Sequence, residues 1–210
     1  MLRYSIVSAC NKPAILEDNL LKSPNIFSHD IHIKYEYTNI CKAYNEAIKE
    51  CTEEIIIFVH QDVFLPENFF EDLLISIATL IYTEWGVLGV AGITHSGRLS
   101  SDVIDRGSIL KTDDLKPALV QTIDELILIV KKRSFDKLVF DENIINNHLF
   151  GTDLCLQAEQ HWMKNFIIEA PCFHNSLLVS LPNNYFISQE YIREKWSCSL
   201  PIHTTCSVIR

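Results

Sequence analysis

The chain has 210 residues, of which 48% are hydrophobic, and a formal net charge of −9 at neutral pH. This length and apolar content suffice for one substantial core, or for a core with an appendage. The acidic balance argues against a nucleic-acid partner, because such proteins normally present a basic surface. No apolar run is long enough to cross a bilayer, and the N-terminus enters a strand-like run without a charged-then-apolar leader.

The seven cysteines are scattered along the chain and contain no C-x-x-C pair. This pattern is typical neither of a disulfide framework nor of a zinc knuckle, and it predicts free thiols in a reducing compartment. We therefore expect a cytoplasmic protein. Peripheral contact with the inner face of a membrane and assembly into a homodimer both stay open.

Hydrophobic periodicity predicts that strands and helices alternate along the chain. In order, we expect strands at 4–9 and 31–37, a helix at 40–48, a central strand at 54–59, a helix from 66 to 80, a strand at 85–93, a long loop at 94–119, a strand at 120–131, a helix opened by 150–153, a strand at 165–170, and a helical piece at 187–196. This alternation predicts an α/β fold with a mainly parallel sheet flanked by helices.

The central strand, EIIIFV at 54–59, is the most strongly patterned element. Continuous β-branched runs are typical of strands buried on both faces of a parallel sheet. The run ends in His60-Gln61-Asp62, and Pro66 follows at a position suited to the first residue of a helix. Ligands of open α/β sheets bind beyond the carboxyl ends of the strands. His60 and Asp62 can therefore share a cation, although an aspartate that merely caps a turn explains this triplet equally well.

Further polar groups follow at predicted strand ends or helix starts: Asp124-Glu125, Asp153 and His174. Carboxylates with imidazoles suit Mn²⁺ or Zn²⁺ better than Ca²⁺. Asp124 lies inside an apolar run, and a buried carboxylate needs partners, so we expect it to face a site. For Asp153 a helix-dipole role stays open, as does an ordinary surface or core position for His174. The glycines at 86–92 indicate close approach of backbone or ligand.

Several sequence pieces occur in the order found in a known family. They are YNEAI at 44–48, FVHQDVF at 58–64, the glycine-containing run at 86–92, IDE at 123–125, FD at 140–141, GTDLCL at 151–156, and FHNS at 173–176. The chain thus resembles family-2-type glycosyltransferase-like proteins, which have the GT-A nucleotide-sugar fold. The resemblance implies a single GT-A-like domain over 1–181, with a C-terminal helical tail at 182–210 packed on the same domain.

The resemblance also implies roles for individual residues. His60-Gln61-Asp62 takes the place of the D-x-D motif, in which the last carboxylate holds Mn²⁺ or Mg²⁺ on the donor diphosphate; His60 departs from the usual aspartate. His174 matches a histidine that completes the metal site in related transferases, and Asp153 matches the general base of inverting members. The donor and acceptor pocket is expected to include the residues Asn11, Glu36, Gln61, Asp124 and Glu125.

These roles imply a metal-dependent, inverting glycosyltransferase that moves a sugar from a nucleotide-diphosphate donor to a hydroxyl of a glycan or lipid-linked acceptor, as in polysaccharide biosynthesis. Such chemistry requires charge neutralisation on the leaving group and a base for the acceptor. A catalytically inactive nucleotide-sugar-binding protein is one alternative, because of His60. A nucleotidyltransferase is another, although the segment at 10–13 lacks the expected glycine- and basic-rich phosphate loop.

Overall fold

The computed structural model describes residues 3–145, 147–175, 181 and 184–210. Ser176, where the sequence resemblance ends, and residue 182, where the tail was expected to begin, lie outside this part. The described helices are α1 (Pro13–Asp18), α2 (Ile40–Glu50), α3 (Phe69–Thr79), α4 (Phe150–Gln160) and α5 (Asn184–Lys195). The described strands are β1 (Ser5–Cys10), β2 (Asp30–Tyr35), β3 (Ile55–Val59), β4 (Val63–Phe64), β5 (Trp85–Gly89), β6 (Ala91–Ile93), β7 (Leu99–Ser101), β8 (Val103–Asp105), β9 (Ser108–Ile109), β10 (Ala118–Val120), β11 (Thr122–Ile123), β12 (Ile127–Lys131), β13 (Lys164–Ile167), β14 (Cys172–His174), β15 (Ile202–His203) and β16 (Val208–Ile209).

The main sheet has seven strands in the order β10-β13-β5-β12-β3-β1-β2. β1 pairs in parallel with both β2 and β3, so α2 links two strands of the same direction. The pairings of β12 and β10 are antiparallel, and the other five of the seven strands point the same way. The mixed α/β fold with a mainly parallel sheet is therefore as expected.

Helices cover both faces of this sheet because its central strands are apolar on both sides. Ile56 and Phe58 of β3 pack into one core with α2, α4 and α5. Ile57 and Val59 face the other core, which contains residues of α1 and α3. All four side chains are at most 1% exposed, which confirms the expected two-faced burial of β3.

Two long strands predicted from the sequence are each broken in the structure. The run at 85–93 divides at Val90, after which β6 leaves the main sheet and pairs with β7 and β11. The run at 120–131 divides at Asp124–Leu126. Asp124 therefore lies in a connection between strands, where its backbone N–H bonds to the carbonyl of Ala91 in β6, the strand that pairs with β11. Apolar periodicity does not reveal these breaks, since the residues on both sides are buried.

The prediction of a long loop at 94–119 was wrong, since this segment contributes β7, β8, β9 and the start of β10. The β8–β9 hairpin turns at Arg106 and Gly107, which both have positive φ, as two-residue hairpin turns require. The helix expected at Pro66 instead begins at Phe69, whose N–H bonds to the Pro66 carbonyl.

The glycines of β5 make room for neighbouring parts of the chain itself. A Cβ on Gly86 would lie 2.4 Å from Cβ of Ala158 in α4, and one on Gly89 would lie 2.2 Å from Cγ2 of Ile123. These close approaches allow α4 and β11 to pack against the sheet.

The C-terminal segment consists of α5 and the β15–β16 hairpin, so it is only partly helical. Tyr185, Ile192, Trp196, Ile202 and Ile209 belong to the same core as α2 and α4. All seven cysteines are free thiols. None of the described helices is both long enough and apolar enough to cross a bilayer.

Candidate metal centre

His60, Asp62 and His174 meet beyond the carboxyl end of β3. The first two lie in the turn that follows β3, and His174 ends β14, which pairs with β4 so that His174 faces Val63. One nitrogen or oxygen ligand atom from each residue lies within 4.8 Å of the others. In the described part of the chain, this is the one group of three His, Cys, Asp or Glu side chains with such spacing.

Asp62 is the central carboxylate of this group. Its side chain is 9% exposed, and one oxygen is in close contact with Nδ1 of His60. Burial by itself raises the pKa of Asp62, but the neighbouring His174 and His60 imidazoles outweigh it and hold the pKa well below its usual value. Asp62 is therefore ionised at neutral pH and supplies a hard oxygen ligand.

His174 lies between two carboxylates. Its Nε2 is 3.6 Å from Oδ1 of Asp62, and its Nδ1 is 2.8 Å from Oδ1 of Asp105. Burial lowers the pKa of His174, but Asp62, with smaller effects from Asp124 and Asp105, raises it above the ordinary value. The neighbouring acids therefore favour a positive charge at this position.

The separation of His174 and Asp62 fits a shared cation. At 3.6 Å the two atoms are too far apart for a hydrogen bond. Protein nitrogen and oxygen ligands lie about 2.0–2.2 Å from a metal ion such as zinc, so two ligands of one ion are about 3–3.5 Å apart. One carboxylate and two imidazoles form a donor set that Mn²⁺ and Zn²⁺ accept. The residues present therefore fit a divalent cation.

Gln61 points away from this group and joins the central strand to the loop after β1. Its Oε1 accepts hydrogen bonds from the N–H groups of Asn11 and Lys12 at 3.2 and 3.1 Å, and its Nε2 donates to Oδ1 of Asn11 at 2.7 Å. The structure thus brings together two of the residues predicted to line the donor pocket. Glu36, a third, follows β2 with an exposed side chain and positive φ.

Asp124 and Glu125 lie in the connection before β12, and the Leu126 carbonyl accepts the N–H of His60 at 3.0 Å. Asp124 accepts a hydrogen bond from the Thr205 hydroxyl. Glu125 accepts the N–H of Gly151 at 3.0 Å and so caps the start of α4. Burial and the adjacent Asp124 charge raise the pKa of Glu125, although the bond from Gly151 opposes this.

Asp153 lies in the first turn of α4, as the sequence predicts, but its carboxylate is enclosed. The residue is 1% exposed. One oxygen lies 2.7 Å from Nε1 of Trp196 and 2.8 Å from Nζ of Lys195. The other accepts a hydrogen bond from Gln157 at 2.6 Å. Both oxygens are therefore occupied by donors from the protein, which argues against the predicted role of Asp153 as general base.

Two contributions to this region were not foreseen from the sequence. Asp105 reaches His174 because β8 pairs in parallel with β14, which sets Asp105 opposite His174. Thr205 reaches Asp124 because the C-terminal hairpin packs beside β11, where the Thr122 hydroxyl bonds to the His203 carbonyl. No spacing in the sequence relates these pairs. The dipeptide Arg106-Gly107 was the only local sign that Asp105 ends a hairpin strand.

Several solved structures have the same fold as this chain. GalNAc-T7, crystallised with UDP, GalNAc and Mn²⁺, superposes with a TM-score of 0.64 at 9% identity, over 96% of this chain and 50% of that one. S. aureus TarS superposes with a TM-score of 0.60 at 9% identity, over 92% of this chain and 39% of that one. Its 1–349 fragment with UDP-GlcNAc gives 0.57 at 11% identity over 92% and 66%. At these identities the likeness establishes the fold alone.

One sequence relative is the protein called ATP synthase subunits region ORF 6 of Fuscovulum blasticum. It is 26% identical over 162 residues, which cover 70% of this chain and 61% of that protein. The chain thus spans less than two thirds of this relative, and half of GalNAc-T7.

The fold and its neighbours define a mixed α/β domain of the GT-A type. The model of the family described as "Glycosyltransferase like family" matches residues 8–195, and the chain belongs to that family. The family resemblance expected from the sequence is thereby confirmed.

Proposed function

We propose that this protein is a metal-dependent glycosyltransferase that uses a nucleotide-diphosphate sugar as donor. The observation that supports this most directly is the His60–Asp62–His174 group beyond the carboxyl end of β3 in a sheet of the GT-A type. That position is where open α/β sheets bind their ligands. A hydroxyl of a glycan or lipid-linked molecule is the proposed acceptor, as the resemblance implies for polysaccharide biosynthesis.

The donor site is proposed to lie between this group and the loop after β1. Gln61 fixes the backbone of Asn11 and Lys12 to the end of the central strand. The position of that loop is therefore coupled to the position of the neighbouring Asp62. Such coupling holds the binding groups in place before the donor arrives, which lowers the entropy cost of binding.

Mn²⁺ or Mg²⁺ is the proposed cofactor, with Asp62, His174 and His60 as its protein ligands. When bound, such a cation stabilises the negative charge that grows on the leaving diphosphate. Asp62 serves this role because its carboxylate is ionised at neutral pH. His174 serves it by presenting Nε2 toward Asp62.

The acceptor proton is proposed to pass to the Asp124–Glu125 pair in an inverting reaction. This pair adjoins His60 through the Leu126 carbonyl, whereas Asp153 is enclosed by three donors. Burial and the adjacent Asp124 charge raise the pKa of Glu125, which brings it closer to the working range of a general base. Asp153 then has a structural role.

The test is sugar transfer and donor hydrolysis by the purified chain, measured over a panel of UDP- and GDP-sugars with Mn²⁺, Mg²⁺ or EDTA. We expect turnover with one donor, dependent on the cation, and its loss in Asp62→Asn. Asp30→Asn is the matched control, since Asp30 contacts His32 at 2.9 Å at the other end of the sheet, where β1 and β2 begin. Turnover that is the same in EDTA and in Asp62→Asn would refute the proposal.

The enclosed state of Asp153 favours a second candidate, a nucleotide-sugar-binding protein without catalysis. Calorimetric titration with nucleotide sugars separates the two functions. Tight, Mn²⁺-dependent binding without turnover over a broad acceptor panel would support the binding protein. Loss of turnover in Asp124→Asn and Glu125→Gln, with binding retained, would support the transferase.

A further inference from the structure

Asp105 approaches His174 from the side opposite to Asp62. The Asp105 side chain is 17% exposed, and its Oδ1 lies 2.8 Å from Nδ1 of His174. Nε2, the other ring nitrogen, is the one directed at Asp62. The imidazole therefore lies between two carboxylates, each next to a different nitrogen.

The Asp105 carboxylate is held from its other side by its neighbour in the hairpin turn. Nη2 and Nε of Arg106 lie 3.1 and 3.2 Å from Oδ2. The Arg106 N–H also bonds to the His174 carbonyl at 2.9 Å, which locks the pairing of β8 with β14. Arg106 thus occupies Oδ2, and Oδ1 is left to face the ring of His174.

Oδ1 of Asp105 is a buried oxygen with no aligned hydrogen-bond donor. A buried carboxylate oxygen without a donor is costly. Nδ1 of His174 lies 2.8 Å from this oxygen, within hydrogen-bonding distance. A neutral His174 can donate a hydrogen bond to this oxygen only if its one ring proton is on Nδ1.

We infer that Asp105 is a positioning residue that fixes His174 in the Nδ1–H tautomer and so directs the Nε2 lone pair toward Asp62. Histidine ligands of metals commonly donate their second N–H to a carboxylate in this way, and loss of that partner typically costs 10–100-fold in metal affinity. This inference rests on the proposed metal site for its function, but the tautomer itself can be measured without metal.

The primary experiment is ¹⁵N NMR of the metal-free protein at a pH where His174 is neutral, with the His174 signal assigned through a His174→Gln sample. We expect a protonated Nδ1 and an unprotonated Nε2 in the wild type. In Asp105→Asn and in Asp105→Ser, we expect a mixture of tautomers or Nε2–H. Asp30→Asn, which removes a carboxylate from His32, should leave the His174 signal unchanged. The inference is overturned if His174 of the wild type carries its proton on Nε2. It is also overturned if the tautomer of His174 is unchanged in both Asp105 variants.

A calorimetric Mn²⁺ titration then tests whether the tautomer fixed by Asp105 increases the affinity for the metal. We expect Asp105→Asn to weaken Mn²⁺ binding by about 10–100-fold, and to raise the Mn²⁺ concentration needed for activity while leaving kcat at saturating Mn²⁺ within a few-fold. A loss as complete as in Asp62→Asn would instead make Asp105 a direct ligand and overturn the positioning role. If the wild type binds no Mn²⁺ while its Nδ1–H tautomer depends on Asp105, the proposed function fails and the inference on the tautomer stands.

Discussion

Asp62 and Asp153 are both buried carboxylates, yet their surroundings differ in kind. Asp62 lies beside two histidines, whose nitrogens can themselves bind a metal ion. Asp153 lies among Lys195, Trp196 and Gln157, which are all hydrogen-bond donors. The first environment brings possible ligand atoms of three side chains close together, whereas in the second each oxygen of Asp153 has at least one donor from the protein within hydrogen-bonding distance. Burial of an acid is therefore not sufficient evidence of function; the nature of its partners decides.

The region around Asp153 also joins the C-terminal helix to the rest of the domain. Lys195 lies 2.8 Å from Asp153 and 2.6 Å from Asp141, and Tyr191 donates a hydrogen bond to Asp141 at 2.7 Å. Two carboxylates and one ammonium thus hold α5 against α4. This arrangement is typical of a structural ion-pair network, in which each charge has its partner inside the protein.

The largest expected difference between the two regions is in turnover. Asp62→Asn should lower the rate of sugar transfer by about 10²–10³-fold, because the group that binds the donor diphosphate loses its charged ligand. Asp153→Asn should lower it by less than about 10-fold in the folded protein. Steady-state kinetics on both variants, with circular dichroism to verify folding, measures this. A larger kinetic loss in Asp153→Asn than in Asp62→Asn would return the role of base to Asp153.

For the free energy of unfolding, we expect the larger loss in Asp153→Asn and the smaller one in Asp62→Asn. Asp153→Asn leaves Lys195 and Trp196 with a weaker acceptor in a buried position, and we expect the free energy of unfolding to fall by about 2–4 kcal/mol. Asp62→Asn should also lower it, because His60 and His174 stabilise the ionised carboxylate in the folded state, but by less than Asp153→Asn, since the Asp62 side chain is 9% exposed and that of Asp153 is 1% exposed. Urea unfolding of both variants, without metal, gives the comparison. Equal losses would mean that the Asp62 group is also structural.

The change in Tm on addition of Mn²⁺ should also distinguish the surroundings of Asp62 from those of Asp153. At a Mn²⁺ concentration 100 times Kd, binding stabilises the folded state by about 2.7 kcal/mol, which raises Tm by roughly 5–10 °C for a domain of this size. EDTA should reverse the shift. We expect the shift in wild type and in Asp153→Asn, but not in Asp62→Asn. A thermal shift that persists in Asp62→Asn would place the Mn²⁺ elsewhere.

The smallest effect is the dependence of stability on pH at Asp141. Burial raises the pKa of Asp141, but the hydrogen bonds from Lys195, Asn143 and Tyr191 outweigh it and bring the pKa to about 2, below its ordinary value of 3.8. Because the folded-state pKa is the lower one, the carboxylate stabilises the fold above pH 4, and this contribution is lost as the pH falls through 2.

Asp141→Asn should therefore be less stable than wild type at pH 7, by up to about 2 kcal/mol, and equal to it below pH 2. Urea unfolding at a series of pH values measures the difference. A difference that is constant over this range would show that packing, and not the ionised carboxylate, carries the effect of Asp141.

Local sequence signals predicted the elements that bury one or both of their faces. The EIIIFV run gave β3, and the spacing of apolar residues in α2 and α3 gave helices whose inward side chains, such as Tyr44 and Leu73, are at most 1% exposed. The same signals failed at 85–93 and 120–131. There the chain changes sheets between buried residues: Val90 at the first break, and Ile123 and Ile127 on either side of the second, are at most 2% exposed.

The α/β class, the family resemblance and the placement of His60, Asp62 and Asp153 at the ends of their elements could be predicted from the sequence, because these depend on periodicity and on residue order. Which of these groups face one another depends on how the strands and helices pack. The pairing of β14 with both β4 and β8 brings His174 to Asp62 and Asp105, and the packing of α5 encloses Asp153. Residues distant in sequence meet through strand register and helix docking, which the core as a whole sets and which no local pattern encodes.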